Sequence, residues 1–232
     1  RYLTENFGSG SLRGAILPAD KQTGEDRKSG QFRHALSWGD VWNARTNLNY
    51  VSDPYYLSDL GSGLEIANQT YQERVGEVQY NDANWHILAR AQGFQTLDPG
   101  LVDGDKPYTR LPQLLLITDP SRLPGWQQQL RAEVTNFQRS VDDGSVSEIN
   151  GVRLRLDPQL RYDYNQPWGF VRPGVKLSHL QYALTGSGTT ASNDAPSLTL
   201  PTLSLESGLY FERFNDNGSS LTLEPRALYL YS

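Results

Sequence analysis

Arginine side chains are the groups in this sequence best suited to bind another molecule. Three of them, Arg153, Arg155 and Arg161, occupy odd positions of one segment. Candidates in similar segments elsewhere are Arg45, Arg90, Arg131, Arg226 and the neighbouring carboxylate Glu224. Guanidinium groups form strong charge-assisted hydrogen bonds with phosphates and carboxylates, so these residues could contact an anionic ligand. Interleaved carboxylates such as Glu133 and Asp157 leave a second interpretation open, in which the charges pair with one another and hydrate a surface. For any single residue we favour pairing.

No group of residues in the sequence predicts catalysis or metal binding. His34, His86 and His179 are far apart in the chain and share no metal-ligand spacing, and the sequence contains no cysteine. Asp142 and Asp143 form an acidic pair of the kind that a protease could use. The pair lies in a polar stretch, however, where solvated charges are far more common. We therefore expect a protein that is not an enzyme, with no catalytic residue, no cofactor and no metal.

The composition excludes several classes of protein. Of the 232 residues 37% are hydrophobic, and the mean hydropathy is -0.58. No apolar run approaches the roughly 18 residues that a transmembrane helix needs, which excludes a helical membrane protein. A β-barrel is not excluded, because alternating strands average to a polar composition. The net charge of -5 gives no support for nucleic-acid binding. Because the sequence begins at Arg1 without a leader peptide, we expect it to be part of a longer, processed chain.

Alternation with a period of two residues is the strongest structural signal. From Val152 to Tyr164 the even positions are Val, Leu, Pro or Tyr, and the odd positions are Arg, Asp or Gln. Successive strand side chains point to opposite faces, so this predicts a strand with one apolar and one polar face. Pro158 cannot donate a ladder hydrogen bond and predicts a bulge or a missing bond. The pattern recurs over 42–50, 85–92 and 221–231. By contrast, Leu111 to Ile117 is apolar on both faces, so its register cannot be assigned.

The connections between the predicted strands alternate between short and long. Short turns are predicted at 38–40, 81–84, 118–125, 165–168 and 215–218, and long polar stretches at 18–30, 52–69, 95–108, 139–150 and 185–196. All five tryptophans lie at or beside the short turns: Trp38, Trp42, Trp85, Trp126 and Trp168. Outer-membrane barrels combine short periplasmic turns with long extracellular loops and aromatic belts. A soluble β-sandwich also alternates, but it has no reason to sort tryptophan by turn length.

These patterns predict an all-β fold, a transmembrane antiparallel β-barrel whose periplasmic aromatic belt consists of the five tryptophans. We count about eleven strands plus a stub at Arg1 to Leu3. Bacterial single-chain barrels normally have an even number of strands, and unpaired strand edges cannot face lipid. The count therefore predicts an incomplete wall. We expect residues 1–232 to be part of one C-terminal barrel domain, with no second domain in this segment.

Several stretches resemble the LptD family of outer-membrane LPS-assembly proteins. Ile16 to Lys21 resembles an early segment of that family, and Tyr50 to Leu60 resembles a loop entry. The closing segment Thr222 to Tyr231, which follows Phe211-Glu212-Arg213, resembles its most recognisable strand. The resemblance implies a 26-stranded barrel preceded by a periplasmic jellyroll domain, with this chain covering roughly the first half of the barrel. It also implies the partners: lipopolysaccharide, the lipoprotein LptE as a plug inside the barrel, a periplasmic LptA-type bridge that reaches the missing N-terminal domain, and outer-membrane lipid.

The resemblance predicts the function of a translocon wall in the outer membrane of a Gram-negative bacterium, which inserts LPS into the outer leaflet. The candidate arginines and Glu224 would then face the lumen and contact LPS sugars. A passive porin for small solutes is the alternative; it predicts the same alternation but needs inward-folded loops and free ion conductance. An outer-membrane enzyme would need a tight catalytic cluster at the rim, which the sequence does not contain.

Overall fold

The computed structural model describes residues 1–61, 70–120, 123–139, 149–186, 194–216 and 218–232. Within these residues it contains fifteen β-strands, one short helix and one 3-10 turn. The strands are β1 (Tyr2–Thr4), β2 (Gly8–Leu17), β3 (Arg27–Trp38), β4 (Trp42–Val51), β5 (Tyr71–Asn81), β6 (Trp85–Thr96), β7 (Thr109–Thr118), β8 (Trp126–Gln138), β9 (Asn150–Tyr162), β10 (Tyr164–Gln166), β11 (Gly169–Thr185), β12 (Ser197–Leu209), β13 (Phe211–Phe214), β14 (Ser220–Leu223) and β15 (Arg226–Tyr231). The helix α1 spans Tyr56–Leu60, and the 3-10 turn spans Asp103–Asp105. None of the helical segments in the described ranges has the length and apolarity to cross a bilayer.

Thirteen of the described strands form one antiparallel sheet, and twelve of these follow one another in a meander. Each strand from β1 to β9 pairs with its neighbour in sequence, and the order continues through β11, β12 and β15. The short strand β10 follows β9 and pairs with β11, while β13 and β14 form a separate two-stranded sheet. This topology is that of an up-and-down barrel wall and confirms the predicted all-β antiparallel fold. The predicted eleven strands correspond to β2–β9, β11, β12 and β15, and the stub is β1.

Short and long connections lie at opposite ends of the sheet, because antiparallel strands reverse direction at every link. The end that carries the connections 18–26, 52–70, 97–108, 139–149 and 186–196 is called the long-loop end, and the other is the short-turn end. The predicted turn at 215–218 differs from the others, since it joins β13 to β14 outside the main sheet.

The strand register separates two faces of the sheet, as the period of two predicts. Between β8 and β9, Glu133 lies opposite Arg155, and Val134 lies opposite Leu154. The same separation continues across β4, β5 and β6, where Arg45, Glu77 and Arg90 occupy one row. We call the side that carries these charges the polar face and the other side the apolar face.

The register of β7, which the sequence left open, follows from its neighbours. Leu115 lies opposite Leu88 on β6 and opposite Glu133 on β8, so it belongs to the polar face. Both leucines are buried there. Leu114 lies on the apolar face, between Ala89 and Val134. Because β7 is apolar on both sides, only its pairing partners could decide which leucines face which way.

Prolines explain where the ladders are interrupted. Opposite Pro158, the pairing of β9 with β11 skips from Lys176 to His179 without a change in register, which confirms the predicted missing bond. The expectation of one continuous strand over 221–231 is wrong. The strand ends at Leu223 and a new one begins at Arg226, on either side of Pro225, which has no N–H to donate.

Candidate functional site on the polar face

The first charged cluster on the polar face is centred on Glu77. Its carboxylate receives Arg45 from β4, with an Nη2–Oε1 distance of 3.0 Å, and Arg90 from β6, with an Nε–Oε2 distance of 2.8 Å. The three residues lie directly opposite one another on three adjacent strands. Glu77 is buried beneath the two guanidinium groups, whereas Arg45 remains largely exposed. The cluster therefore joins three strands and leaves a cationic group accessible.

A second cluster is centred on Glu133 of β8. Arg131 approaches its Oε2 at 3.0 Å, and Arg153 of β9 approaches its Oε1 at 2.8 Å. The side chains of Thr135 and Gln113 also donate to Oε1, at 3.1 and 3.2 Å. Four donors thus converge on one buried carboxylate, which compensates for its removal from water.

The remaining candidates form simpler pairs. Arg155 contacts Asp157 at 2.6 Å, and Arg161 donates from Nε to the side-chain oxygen of Gln127 at 3.1 Å. Arg226 contacts Glu224 at 3.1 Å, in an exposed pair.

By register, seven of the candidate residues lie on the polar face: Arg45, Arg90, Arg131, Arg153, Arg155, Arg161 and Arg226. That this face borders a lumen stays a prediction. Glu224 lies between strands β14 and β15. Pairing among protein groups is therefore present for each predicted arginine, while contact with an external ligand stays a prediction.

The five tryptophans gather at the short-turn end. Trp38 and Trp42 stack with ring centroids 5.6 Å apart, and Trp42 also meets the ring of Tyr80 at 5.0 Å. Trp126 packs on Tyr162 at 5.0 Å. Trp85 begins β6 opposite Thr118, and Trp168 directly precedes β11. All five are 36–54% exposed. A row of exposed aromatic rings at one end of the strands has the geometry of an aromatic belt, and its location at a membrane interface stays a prediction.

A buried arginine at the long-loop end was not predicted from the sequence. The side chain of Arg27, 2% exposed, contacts Asp53 at 2.9 Å, Asp59 at 2.9 Å and Asp20 at 3.1 Å. It also lies 5.5 Å from the ring centroid of Tyr56. We call Arg27 and its three aspartates the loop clamp, because it joins the connection after β2 to the connection after β4. The partners are up to 32 residues apart, and no sequence spacing reveals their contact.

The loop clamp also changes the acidity of its carboxylates. The pKa of Asp20 is lowered by the backbone N–H of Gln22 and by the side chain of Arg27. Burial alone would raise the pKa of Asp53, but hydrogen bonds from Arg27 and Ser52 outweigh it, and the pKa lies below its usual value. Both groups are therefore held in the charged form that Arg27 requires.

The residues considered for catalysis or metal binding do not come together. His34 bonds to the hydroxyl of Tyr2 at 2.6 Å, and His179 bonds to Thr199 at 2.7 Å. His86 contacts Asn81, on another part of the sheet. In the ranges that the structure describes, no group of three or more His, Cys, Asp or Glu side chains could hold a metal ion. The acidic pair at 142–143 lies outside the described residues.

Comparison with known proteins identifies the family. A family model described as LPS transport system D matches residues 25–232. The chain is 41% identical over 232 residues to LPS-assembly protein LptD of Alcanivorax borkumensis, covering 97% of this chain and 30% of that protein. It is 35% identical to LPS-assembly protein LptD of Acinetobacter baumannii, covering 100% of this chain and 29% of that protein. For the protein of the same name in Nitrosococcus oceani the identity is 35%, with coverage of 100% and 31%. The chain thus spans about 30% of the length of these curated relatives. It belongs to the LptD family.

Proposed function

We propose that this chain is a section of the wall of an outer-membrane translocon that inserts lipopolysaccharide into the outer leaflet. The observation that carries the proposal is the sheet with two unlike faces, one apolar and edged with tryptophan, the other lined by paired arginines and carboxylates. An apolar outer face suits lipid, and a polar inner face suits a wet lumen through which sugars and phosphates could pass without losing their hydration. The names of the relatives, LPS-assembly proteins, support LPS as the cargo.

The paired charges would suit passage better than tight capture. Each guanidinium in the Glu77 and Glu133 clusters already has a carboxylate partner, so an anionic sugar would have to compete for it. Partly exposed groups such as Arg45 and Arg155 could still offer transient contacts. A moving, highly charged molecule needs contacts of this kind, because strong binding at any one point would stop it.

The proposal includes the cellular setting and the partners. We propose an integral position in the outer membrane of a Gram-negative bacterium, within a single barrel domain and without enzymatic activity. The lipoprotein LptE would fill part of the lumen, and an LptA-type bridge would deliver LPS through a domain N-terminal to this segment. The resemblance in sequence to the LptD family supports these partners.

A passive porin is the second candidate, because one of its requirements has a counterpart here. Helix α1 folds inward over the polar face, where the hydroxyl of Tyr56 accepts a hydrogen bond from Ser29 at 3.0 Å. Inward-folded loops narrow many diffusion pores. The porin also requires free ion conductance in the complete protein, which distinguishes the two functions.

Photo-crosslinking in living cells tests the proposal. A photoreactive residue replaces Arg155 on the polar face of the full-length parent protein, and Leu154 on the apolar face is the matched control. We expect an LPS adduct at Arg155 that is absent at Leu154 and disappears when the energy source for transport is removed. Failure to form adducts at Arg155 and at the other polar-face arginines, in a barrel that conducts ions freely, would instead establish the porin.

A further inference from the structure

A recess of about 490 Å³ lies on the polar face next to the long-loop end. Strands β2 to β5 form its floor and sides, and Tyr56 and Leu57 of helix α1 line it as well. The hydrogen bond between Tyr56 and Ser29 fixes the helix over the polar face. The recess is therefore partly enclosed, and it lies directly below the segment that the loop clamp holds in place.

Two arginines in this recess have no carboxylate partner among the described residues, unlike the arginines of the Glu77 and Glu133 clusters. Arg13 lies opposite Gln31, and Arg33 lies opposite Ser11, so the two arginines are diagonal neighbours on adjacent strands. Diagonal neighbours in a sheet are about 7–8 Å apart at their α-carbons, which lets two guanidinium groups reach one phosphate-sized anion. Among the described residues no carboxylate forms an ion pair with either arginine, and both are exposed.

Among the described residues, the single acidic side chain that lines the recess does not neutralise this pair. Glu73 lies on the far side, on β5, and its Oε1 accepts a hydrogen bond from Gln92 at 2.5 Å. In the described part of the chain, the side chain of Arg33 donates only from Nε to the side-chain oxygen of Asn47, at 3.3 Å, and its terminal nitrogens have no partner there. The described lining residues thus carry two positive charges and one negative charge, which makes this part of the recess cationic.

Amide side chains between the arginines and Glu73 form an ordered row. Gln31 donates to Asn49 at 2.9 Å, and Asn49 donates to Asn47 at 3.3 Å and to the backbone oxygen of Glu73 at 2.8 Å. These bonds fix the amides and leave part of their donor and acceptor capacity unused, which suits the hydroxyl groups of a sugar. The rings of Tyr56 and Tyr71 add apolar surface to the same recess.

We propose that this recess binds a phosphate-bearing saccharide, with the phosphate between Arg13 and Arg33 and the sugar hydroxyls on the row of amides. The inference rests on the proposed function, because the saccharide of LPS reaches this recess only if it travels along the polar face. The inference adds a defined binding site for the saccharide just below the long-loop end. The other charged clusters described above on this face are already paired.

Equilibrium binding to the purified full-length parent, in complex with its lumen partner, tests the subsite. The probe is deacylated LPS saccharide that retains its phosphates, compared with the same saccharide after dephosphorylation. We expect Arg13→Gln/Arg33→Gln to weaken binding of the phosphorylated probe by at least about tenfold, since the loss of even one hydrogen bond to a charged group has about that effect. Binding of the dephosphorylated probe should not change. Lys176→Gln removes a cation from the polar face of β11, outside the recess, and should affect neither probe.

Variants that keep the charge separate a binding role from a structural one. Arg13→Lys/Arg33→Lys should retain a weaker preference for the phosphorylated probe, because lysine keeps the charge but not the planar fork of donors. Raising the ionic strength from about 0.05 to about 0.5 M should reduce the preference of the unmodified protein. The double glutamine variant is folded if its electrophoretic mobility changes on heating as that of the parent does. Unchanged affinity for the saccharide in such a folded variant would overturn the subsite. Loss of the lumen partner from that variant, with saccharide binding intact, would overturn it too, since the arginines would then be a protein contact.

The crosslinking experiment keeps this proposal separate from the proposed function. LPS adducts at Arg155 combined with unchanged saccharide binding in the double variant would refute the subsite and leave the translocon in place. Lack of adducts at Arg155 and at the other polar-face arginines, in a freely conducting barrel that keeps Arg13 and Arg33, would refute the translocon, whatever the binding experiment yields.

Discussion

Substitution of Leu154 by lysine tests whether the apolar face of the sheet meets lipid. Leu154 lies on that face, between Val134 of β8 and Gln181 of β11. It is two residues from Leu156, the midpoint of the 13-residue strand β9. At a tilt of about 35–45° and a rise of about 3.3 Å per residue, two residues correspond to about 5 Å of depth. If Leu156 marks the centre of an apolar band about 25 Å tall, Leu154 lies within the central half of that band, close to the bilayer midplane.

The expected cost follows from this depth. A lysine on the lipid face costs about 2–4 kcal/mol at the midplane and about 0–1 kcal/mol near the interfaces, so Leu154→Lys should destabilise the protein by about 2 kcal/mol. Arg155→Lys, one residue away on the polar face, is the matched control. The side chain of Arg155 is 45% exposed, and it loses only the geometry of its pair with Asp157. That change should cost less than about 1 kcal/mol.

The measurement is the free energy of unfolding of the full-length parent protein in phospholipid vesicles. A guanidinium titration followed by tryptophan fluorescence gives this free energy from the midpoint and the slope. Equal costs for Leu154→Lys and Arg155→Lys would refute the assignment of the two faces. A larger cost at Arg155 than at Leu154 would reverse it.

Three further predictions concern the charged clusters. Glu133→Gln should destabilise the same protein by about 1–3 kcal/mol, because it removes the shared partner of two guanidinium groups; the cost stays below that of a fully buried pair, since those groups are 37% and 29% exposed. In the loop clamp, Arg27→Met should release the connections after β2 and β4, measured as faster hydrogen exchange over 18–27 and 52–61. The clamp should also respond to pH: its carboxylates Asp20 and Asp53 have a pKa below the usual value of 3.8 in the folded protein, so the stability they contribute is complete above about pH 5 and is lost as the pH falls through the folded pKa.

Each of these predictions has a matched control. Glu224→Gln breaks an exposed pair, with side chains 49% and 60% exposed, and should change the free energy of unfolding by less than about 0.5 kcal/mol. An equal effect at Glu133 and Glu224 would mean that burial of the carboxylate is unimportant. Lys28→Met changes the exposed neighbour of Arg27 and should leave hydrogen exchange unchanged. Exchange over 18–27 that increases already between pH 7 and pH 5, after correction for intrinsic rates, would contradict the role of the aspartates.

Much of the fold could be predicted because the order of residues in a strand determines which side chains lie on each of its two faces. The alternation over 152–164 identified β9 and placed Arg153, Arg155 and Arg161 on one face before any partner was known. Its predicted end was wrong, because β9 ends at Tyr162 and Tyr164 begins β10. The tryptophans could likewise be assigned to the short-turn end of the sheet, because turn length and residue type are both local properties of the chain.

Proline breaks were only partly predictable. A missing N–H is visible in the sequence, and at Pro158 the predicted gap in the ladder is present. The prediction of a continuous strand across Pro225 was wrong, because the alternation of residues continues across this proline while the strand does not. At 110–113, the register of β7 with β8 shifts around Pro112. Whether a proline interrupts one bond or ends a strand depends on the strand beside it.

By itself the sequence determined the antiparallel all-β architecture, the two faces of most strands and the candidate arginines, since these depend on neighbours one or two residues away. Only the tertiary structure decided that Leu115 and Leu88 are buried on the polar face and that Arg27 joins two loops through three aspartates. It also decided that Arg13 and Arg33 share a recess in which no described carboxylate pairs with them. Those features depend on which residues of adjacent strands and loops lie opposite each other. Contacts between residues 20 or 30 positions apart are set by strand register and loop closure. A period of two residues determines which face a side chain occupies but not which residue lies opposite it.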